Sequence, residues 1–171
     1  LPPVLVSYGT SISMGARASR PGRSFTALTA AALDYSLRNL GCSGNAFCEP
    51  EMADYLANQP AALYLLEISV NMIGNGYSVE EFRKHAGYLI DQIAGKNPQA
   101  TVVCISVLTY RGGDADGAKP ENRERAAAYR ETLEQICNAS KHSNVLFVSG
   151  PDLLSFDGLA ITLMGWTENL Q

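Results

Sequence analysis

Val4-Leu5-Val6-Ser7-Tyr8-Gly9-Thr10-Ser11-Ile12-Ser13 decides the reading of this 171-residue chain. The apolar run over residues 4–8 has the length of a buried strand and gives way at once to a glycine and to the hydroxyl residues Thr10, Ser11 and Ser13. Gly9 lets the backbone bend sharply at low steric cost. Ser11 then leaves the carboxyl end of a strand, where open α/β sheets place their ligand crevice. Taken singly, such a serine is more often the cap of the next helix than a nucleophile. The rest of the chain has to decide between the two.

Short apolar runs recur over residues 37–40, 62–68, 101–108 and 145–148. Helical patterns separate them, near residues 24–35, 50–57, 79–94 and 120–139, and a last one begins near Thr162. Ser78-Val79-Glu80-Glu81 is a capping-box signature, in which serine and glutamate satisfy each other's exposed amides. Pro120 suits a first helical turn, where its missing amide would be unpaired anyway. This βα alternation predicts an α/β fold: a three-layer α/β/α sandwich around a five-stranded parallel, flavodoxin-like sheet.

Composition narrows the function classes. A hydrophobic content of 46% with 18% charged residues suits one soluble domain spanning residues 1–171. The formal charge is −4 and the basic residues are scattered, which excludes a nucleic-acid surface. No apolar stretch is long enough for a membrane-spanning helix. Cys42, Cys48, Cys104 and Cys137 show no C-x-x-C spacing, so neither a metal nor any other cofactor is expected. A disulfide between Cys42 and Cys48 is open in an oxidising compartment, although buried free thiols suit most of the set better. Asn138-Ala139-Ser140 is a glycosylation sequon, a triplet common enough by chance to carry little weight.

Two more polar segments follow apolar runs: Asn39-Leu40-Gly41-Cys42-Ser43-Gly44-Asn45 and Glu67-Ile68-Ser69-Val70-Asn71-Met72. With Ser11, Gly44, Asn71 and Asp157 in this order, the chain resembles the SGNH (GDSL-type) hydrolase superfamily over nearly its whole length. It is most similar to the branch whose first block reads Gly-Thr-Ser-Ile, continued here as Gly15-Ala16-Arg17-Ala18-Ser19-Arg20-Pro21-Gly22. Ser69 stands where the family often has glycine, and Met72 where it often has aspartate. The resemblance implies acyl transfer through Ser11, with the oxyanion held by the Ser11 and Gly44 amides and the Asn71 carboxamide. The bland readings are a turn glycine at 44 and a strand-end asparagine at 71 bonding its own loop. Arg20 is a candidate for binding an acyl carboxylate or a sugar hydroxyl, with a surface ion pair as its alternative.

The last block departs from the family. Its members carry Asp-x-x-His before the final helix, the histidine acting as general base and the aspartate orienting it. Here Asp157-Gly158-Leu159 is followed by Ala160, which takes no proton. The remaining histidines do not substitute: His85 falls inside a helix and His142 at the opposite edge of the sheet, and both are expected at the surface. The chain therefore reads as an esterase or acyltransferase for a small or carbohydrate ester, silenced at its base position by an engineered or a natural change. The alternative is a natural pseudoenzyme that binds a small ligand or carbohydrate in the same crevice. A nucleotide binder would need a glycine-rich phosphate cradle after the first strand. A nucleophile-elbow hydrolase would need glycine two residues after the serine, where Ser13 stands. Relatives in this branch often carry a β-sandwich module ahead of the hydrolase domain, and the opening Leu1-Pro2-Pro3 fits a processed start or a cut in a longer polypeptide. A secreted or extracytoplasmic setting is the expectation.

Overall fold

The computed structural model describes residues 1–115 and 118–154. Strands β1 (Val4–Gly9), β2 (Ser36–Gly41), β3 (Leu63–Glu67), β4 (Thr101–Ile105) and β5 (Val145–Val148) form one parallel sheet in the order β2-β1-β3-β4-β5. This is the doubly wound, flavodoxin-like order, whose switch point lies between β1 and β3. The connections carry helices α1 (Ser11–Met14), α2 (Phe25–Ala32), α3 (Pro50–Ala57), α4 (Val70–Gly74), α5 (Val79–Lys96), α6 (Arg111–Asp114), α7 (Pro120–Asn138) and α8 (Gly150–Leu153).

Central strands of a parallel sheet are covered on both faces, which is why β1 and β3 read as unbroken apolar runs. Val6 and Tyr8 of β1 face the larger core, with Tyr64, Leu66 and Val102 from the sheet and Leu56, Phe82, Leu89, Ile93 and Tyr129 from α3, α5 and α7. Leu5, Leu65 and Ile105 face the opposite side, with Ala30 of α2. Inside the larger core, Phe82 and Tyr129 stack at 4.5 Å, and the Tyr129 hydroxyl donates to the Tyr77 carbonyl at 2.7 Å.

Element ends depart from the sequence pattern for local reasons. Helix α2 stops short of residue 35 because Asp34 adopts φ 56°. Strand β3 stops at Glu67, and Ser69 then swings the chain off the sheet with φ 117°. Strand β4 ends at Ile105 instead of 108. Its expected continuation is claimed from outside: the Ser106 hydroxyl accepts from the Gly150 amide at 2.9 Å, and Arg130 of α7 donates to the Val107 and Leu108 carbonyls at 2.9 and 3.1 Å. Arg130 also pairs with both carboxylate oxygens of Asp114, so one guanidinium fixes the whole connection after β4. The capping box at Ser78 and Glu81 forms as read, with the two reciprocal bonds at 3.1 and 2.8 Å. All four cysteines are free thiols, so Cys42 and Cys48 are not joined. Among the described residues no helix is long and apolar enough to cross a membrane. The helix expected from Thr162 lies outside the described residues.

Gly9 and Gly41 stand side by side in the β1–β2 register. A Cβ on Gly41 would lie 2.4 Å from the Met14 amide nitrogen and 2.6 Å from its Cα, so α1 sits on β2 only because residue 41 has no side chain. Backbone cannot rotate away as a flexible side chain could. Gly41→Ala should therefore destabilise the fold by about 1–3 kcal/mol, read as a lower urea midpoint.

Candidate active site

Ser11 opens α1, a helix of four residues whose N-cap is Thr10. The Thr10 hydroxyl accepts from the Ile12 amide at 3.2 Å, and the Met14 amide reaches the Thr10 carbonyl at 3.0 Å. Beneath this turn lies Glu67, the last residue of β3, 2% exposed and level with Gly9 in the sheet register. Its Oε2 accepts from the Thr10 amide at 3.0 Å, the Thr10 hydroxyl at 2.6 Å and the Ser13 hydroxyl at 3.0 Å. The turn's other donors being engaged in this way, the Ser11 amide has no partner among the described residues. Gly9 is required for this approach, since a Cβ there would lie 2.3 Å from the Glu67 carbonyl and 2.4 Å from the Ser13 hydroxyl. Burial pushes the Glu67 carboxyl above the ordinary glutamate range, against the donors from Thr10 and Ser13 that pull it down.

The connection after β2 is drawn over the end of β1. The Cys42 amide donates to the Gly9 carbonyl at 2.7 Å, and the Cys48 amide to the Tyr8 hydroxyl at 3.2 Å. Between them Gly44 turns with φ 75°. No atom lies within 4 Å of where its Cβ would be, so here glycine answers to backbone conformation and not to crowding within the protein. Asn71 is not at the end of a strand but on α4, one turn beyond β3. Its Oδ1 accepts from the Ala46 amide at 3.2 Å. An amide N–H can only donate, which fixes the carboxamide orientation and leaves Nδ2 as the free donor. Neither that nitrogen nor the Gly44 amide has a partner among the described residues.

Ser11, Gly44 and Asn71 thus lie on three adjoining connections at the carboxyl edge, tied to one another pairwise. Asp157 and Ala160 lie outside the described residues. Arg20 is exposed and precedes a short 3-10 turn over Pro21–Arg23. The two histidines are more buried than the sequence suggests. His85 is half-buried: its Nδ1 lies 3.0 Å from the Phe47 carbonyl and its ring meets Tyr77 edge-on at 5.8 Å. His142, also half-buried, places Nε2 2.9 Å from Asp91 and stays at the opposite sheet edge, just before β5. Among the described residues their ring nitrogens bond Phe47 and Asp91, not Ser11.

The GDSL-like lipase/acylhydrolase family model matches residues 3–167. The chain belongs to that family. Among solved structures it is similar to the salicylyl-acyltransferase SsfX3 of a tetracycline biosynthetic pathway, with a TM-score of 0.78 and 22% identity over 88% of this chain and 43% of that one. A GDSL-like lipase from Bacteroides ovatus ATCC 8483 gives a TM-score of 0.77 and 24% identity over 97% and 52%. AlinE4, an SGNH-hydrolase family esterase, gives 0.67 and 12% over 98% and 94%. These likenesses establish a shared fold, and the chain spans about half the length of the first two. No curated protein matches it.

For a GDSL-family chain, the sequence reading missed Glu67, Thr10 and Ser13. The signal was present: a lone glutamate closing an otherwise apolar strand cannot reach water without leaving the core, so it needs donors nearby. Ser69 carries a second signal. It adopts φ 117°, a region that favours glycine, and its buried hydroxyl has no partner among the described residues. Relief of strain on the order of 1–3 kcal/mol outweighs the chain entropy that a new glycine costs, up to about 1 kcal/mol. Ser69→Gly should stabilise the protein by about 1 kcal/mol, read by urea titration.

The raised pKa of Glu67 sets the sign of a pH effect. The folded chain holds this proton more tightly than the unfolded one, so the contribution is complete below the ordinary glutamate value of 4.5 and is lost as pH rises through the folded value. Burial also pushes the Cys48 thiol up, and the charges of Glu49 and then Glu67 add to that rise. Glu67→Gln, locked neutral, should therefore gain stability relative to the natural chain as pH rises above 4.5, followed by thermal melts.

Proposed function

We propose that the chain is a serine-dependent carboxylic ester hydrolase or acyltransferase. Ser11 attacks an ester carbonyl and becomes acylated, the alcohol leaves, and water or an acceptor alcohol then takes the acyl group. One observation carries this reading. Three donors on separate connections, the Ser11 amide, the Gly44 amide and the Asn71 Nδ2, have no partner among the described residues, while the groups around them are engaged. Such donors suit the oxyanion of a tetrahedral intermediate, which develops negative charge only as the reaction proceeds. The family supports acyl chemistry. SsfX3 is named for acyl transfer and AlinE4 for ester hydrolysis, so both fates of the acyl-enzyme remain within the proposal. The substrate is a small or carbohydrate ester, with Arg20 as a candidate contact to an acyl carboxylate or sugar hydroxyl.

The general base belongs, by the family's spacing, at position 160, with Asp157 orienting it. Alanine there leaves the serine at its ordinary, poorly nucleophilic pKa, so the chain as written is a silenced variant. Ala160→His should raise turnover of p-nitrophenyl acetate by roughly a hundredfold or more. In that background Ser11→Ala should abolish the gain, and Asn71→Ala should lower kcat by about 10²–10³. Turnover no higher than that of Ser11→Ala would overturn the mechanism. The alanine also favours a second reading, a binding module that uses the same crevice. In that case calorimetry would detect an acylated sugar while hydrolysis stayed at background.

A further inference from the structure

A helix of four residues does not hold its own shape, because the first turn fixes several dihedrals for a single backbone bond. The geometry of α1 must come from outside it, and the structure shows one source. Oε2 of Glu67 accepts the Thr10 amide, the Thr10 hydroxyl and the Ser13 hydroxyl, and the same Thr10 hydroxyl accepts the Ile12 amide. The carboxyl is thereby linked to residues on both sides of Ser11 but makes no recorded bond to Ser11 itself. All three donors converge on one oxygen and none of them on Oε1. What these donors require at that position is an acceptor oxygen, which a carboxamide supplies as a carboxyl does. No salt bridge reaches Glu67 among the described residues, so no partner cation calls for its charge.

We propose that Glu67 is the positioning residue of the nucleophile turn, holding Thr10 and Ser13 through Oε2 as a hydrogen-bond acceptor so that the Ser11 amide and hydroxyl stay free for substrate. This rests on the function proposed above for Ser11 and adds a residue to which that reading gives no role. Glu67 touches no reacting atom; it acts through the turn.

The test uses the whole chain and two readouts. The first is hydrogen exchange, resolved to the peptide covering residues 9–15. Glu67→Ala should speed exchange there by about tenfold or more while the β4 and α7 amides keep their protection, and Glu67→Gln should retain the natural rate. The second, run in the Ala160→His background that restores the base, is the rate at which Ser11 displaces fluoride from diisopropyl fluorophosphate, followed by intact mass with Ser11→Ala as the blank. Glu67→Ala should slow labelling by about tenfold or more, and Glu67→Gln should stay within about threefold of the Ala160→His parent. Should Glu67→Ala fail to fold, Ser13→Ala removes one donor from the same oxygen and is expected to show smaller losses in both readouts. Natural exchange in the 9–15 peptide of the acceptor-free or donor-free variant overturns the proposal, and so does a Glu67→Gln chain as impaired as Glu67→Ala. An Ala160→His chain that labels no faster than its Ser11→Ala derivative defeats the reading of Ser11 as nucleophile, and exchange still decides whether Glu67 sets the turn.

Discussion

A carboxyl group taken out of water at the end of β3 must find donors or cost the fold several kcal/mol. Among the described residues Glu67 finds them in the block that follows β1, and much of the site's geometry follows from that one demand. The donors can reach Oε2 only if α1 lies flat across the sheet edge. It lies there only because Gly9 and Gly41, neighbours in register on β1 and β2, have no side chains to hold it off. Two glycines and a buried glutamate at one level of three adjacent strands act as a single device. Each of its hydrogen bonds is worth about 1.5–3 kcal/mol if the acceptor is ionised and about 1 kcal/mol if it is neutral, and for the charged form burial still outweighs them, which is why the carboxyl sits above its ordinary range.

The three connections are tied pairwise. Glu67 joins the β3 end to the β1 block, the Cys42 amide joins the β2 block to the Gly9 carbonyl, and Asn71 joins α4 to the Ala46 amide of the β2 block. A closed triangle of this kind resists shear better than a chain of contacts, because no connection can slide without breaking bonds to both others. Strain gathers at one corner: Ser69 holds a backbone conformation that an L side chain rarely adopts, in the residue between the buried carboxyl's strand and the helix that carries Asn71. Strained positions cluster where a protein over-determines geometry near a functional centre.

Much of this was legible in the residues. Alternating short apolar runs and helical patterns gave five strands in the right places and the parallel sheet, because fully buried strands cannot hide their composition. The capping box and Pro120 marked their helix starts for reasons that are local. What could not be read was tertiary. Helices α1, α4, α6 and α8 are too short to show a period. The end of β4 is set by Arg130, which lies 22 residues or more further along the chain from the carbonyls it holds. His85 sits beside Lys84 and looked like a surface residue, but Phe82, Ala86 and Leu89 are its buried neighbours on α5, and the loop after β2 comes down over its ring. Glu67 shows in the sequence only as an acid within an apolar run, and the donors that hold it, on Thr10 and Ser13, lie 57 and 54 residues away in the chain. Here it is the point where the chain folds back over itself.

The strand order also explains why Asn71 is on a helix at all. In a 2-1-3 arrangement the ends of β2 and β3 are separated by β1, two interstrand steps or roughly 10 Å. A carboxamide on the last residue of β3 could not span that distance to the β2 connection. Two displacements close the gap. The Cys42 and Cys48 amides pull the β2 connection onto β1 from one side, and the turn at Ser69 throws α4 off the sheet from the other. The two meet at the Ala46–Asn71 bond. An asparagine kept on the strand would have been left to its own loop. The positive φ at residue 69 is therefore the backbone condition for bringing the third block back towards the first two, and the family's preference for glycine at that position has a direct steric cause.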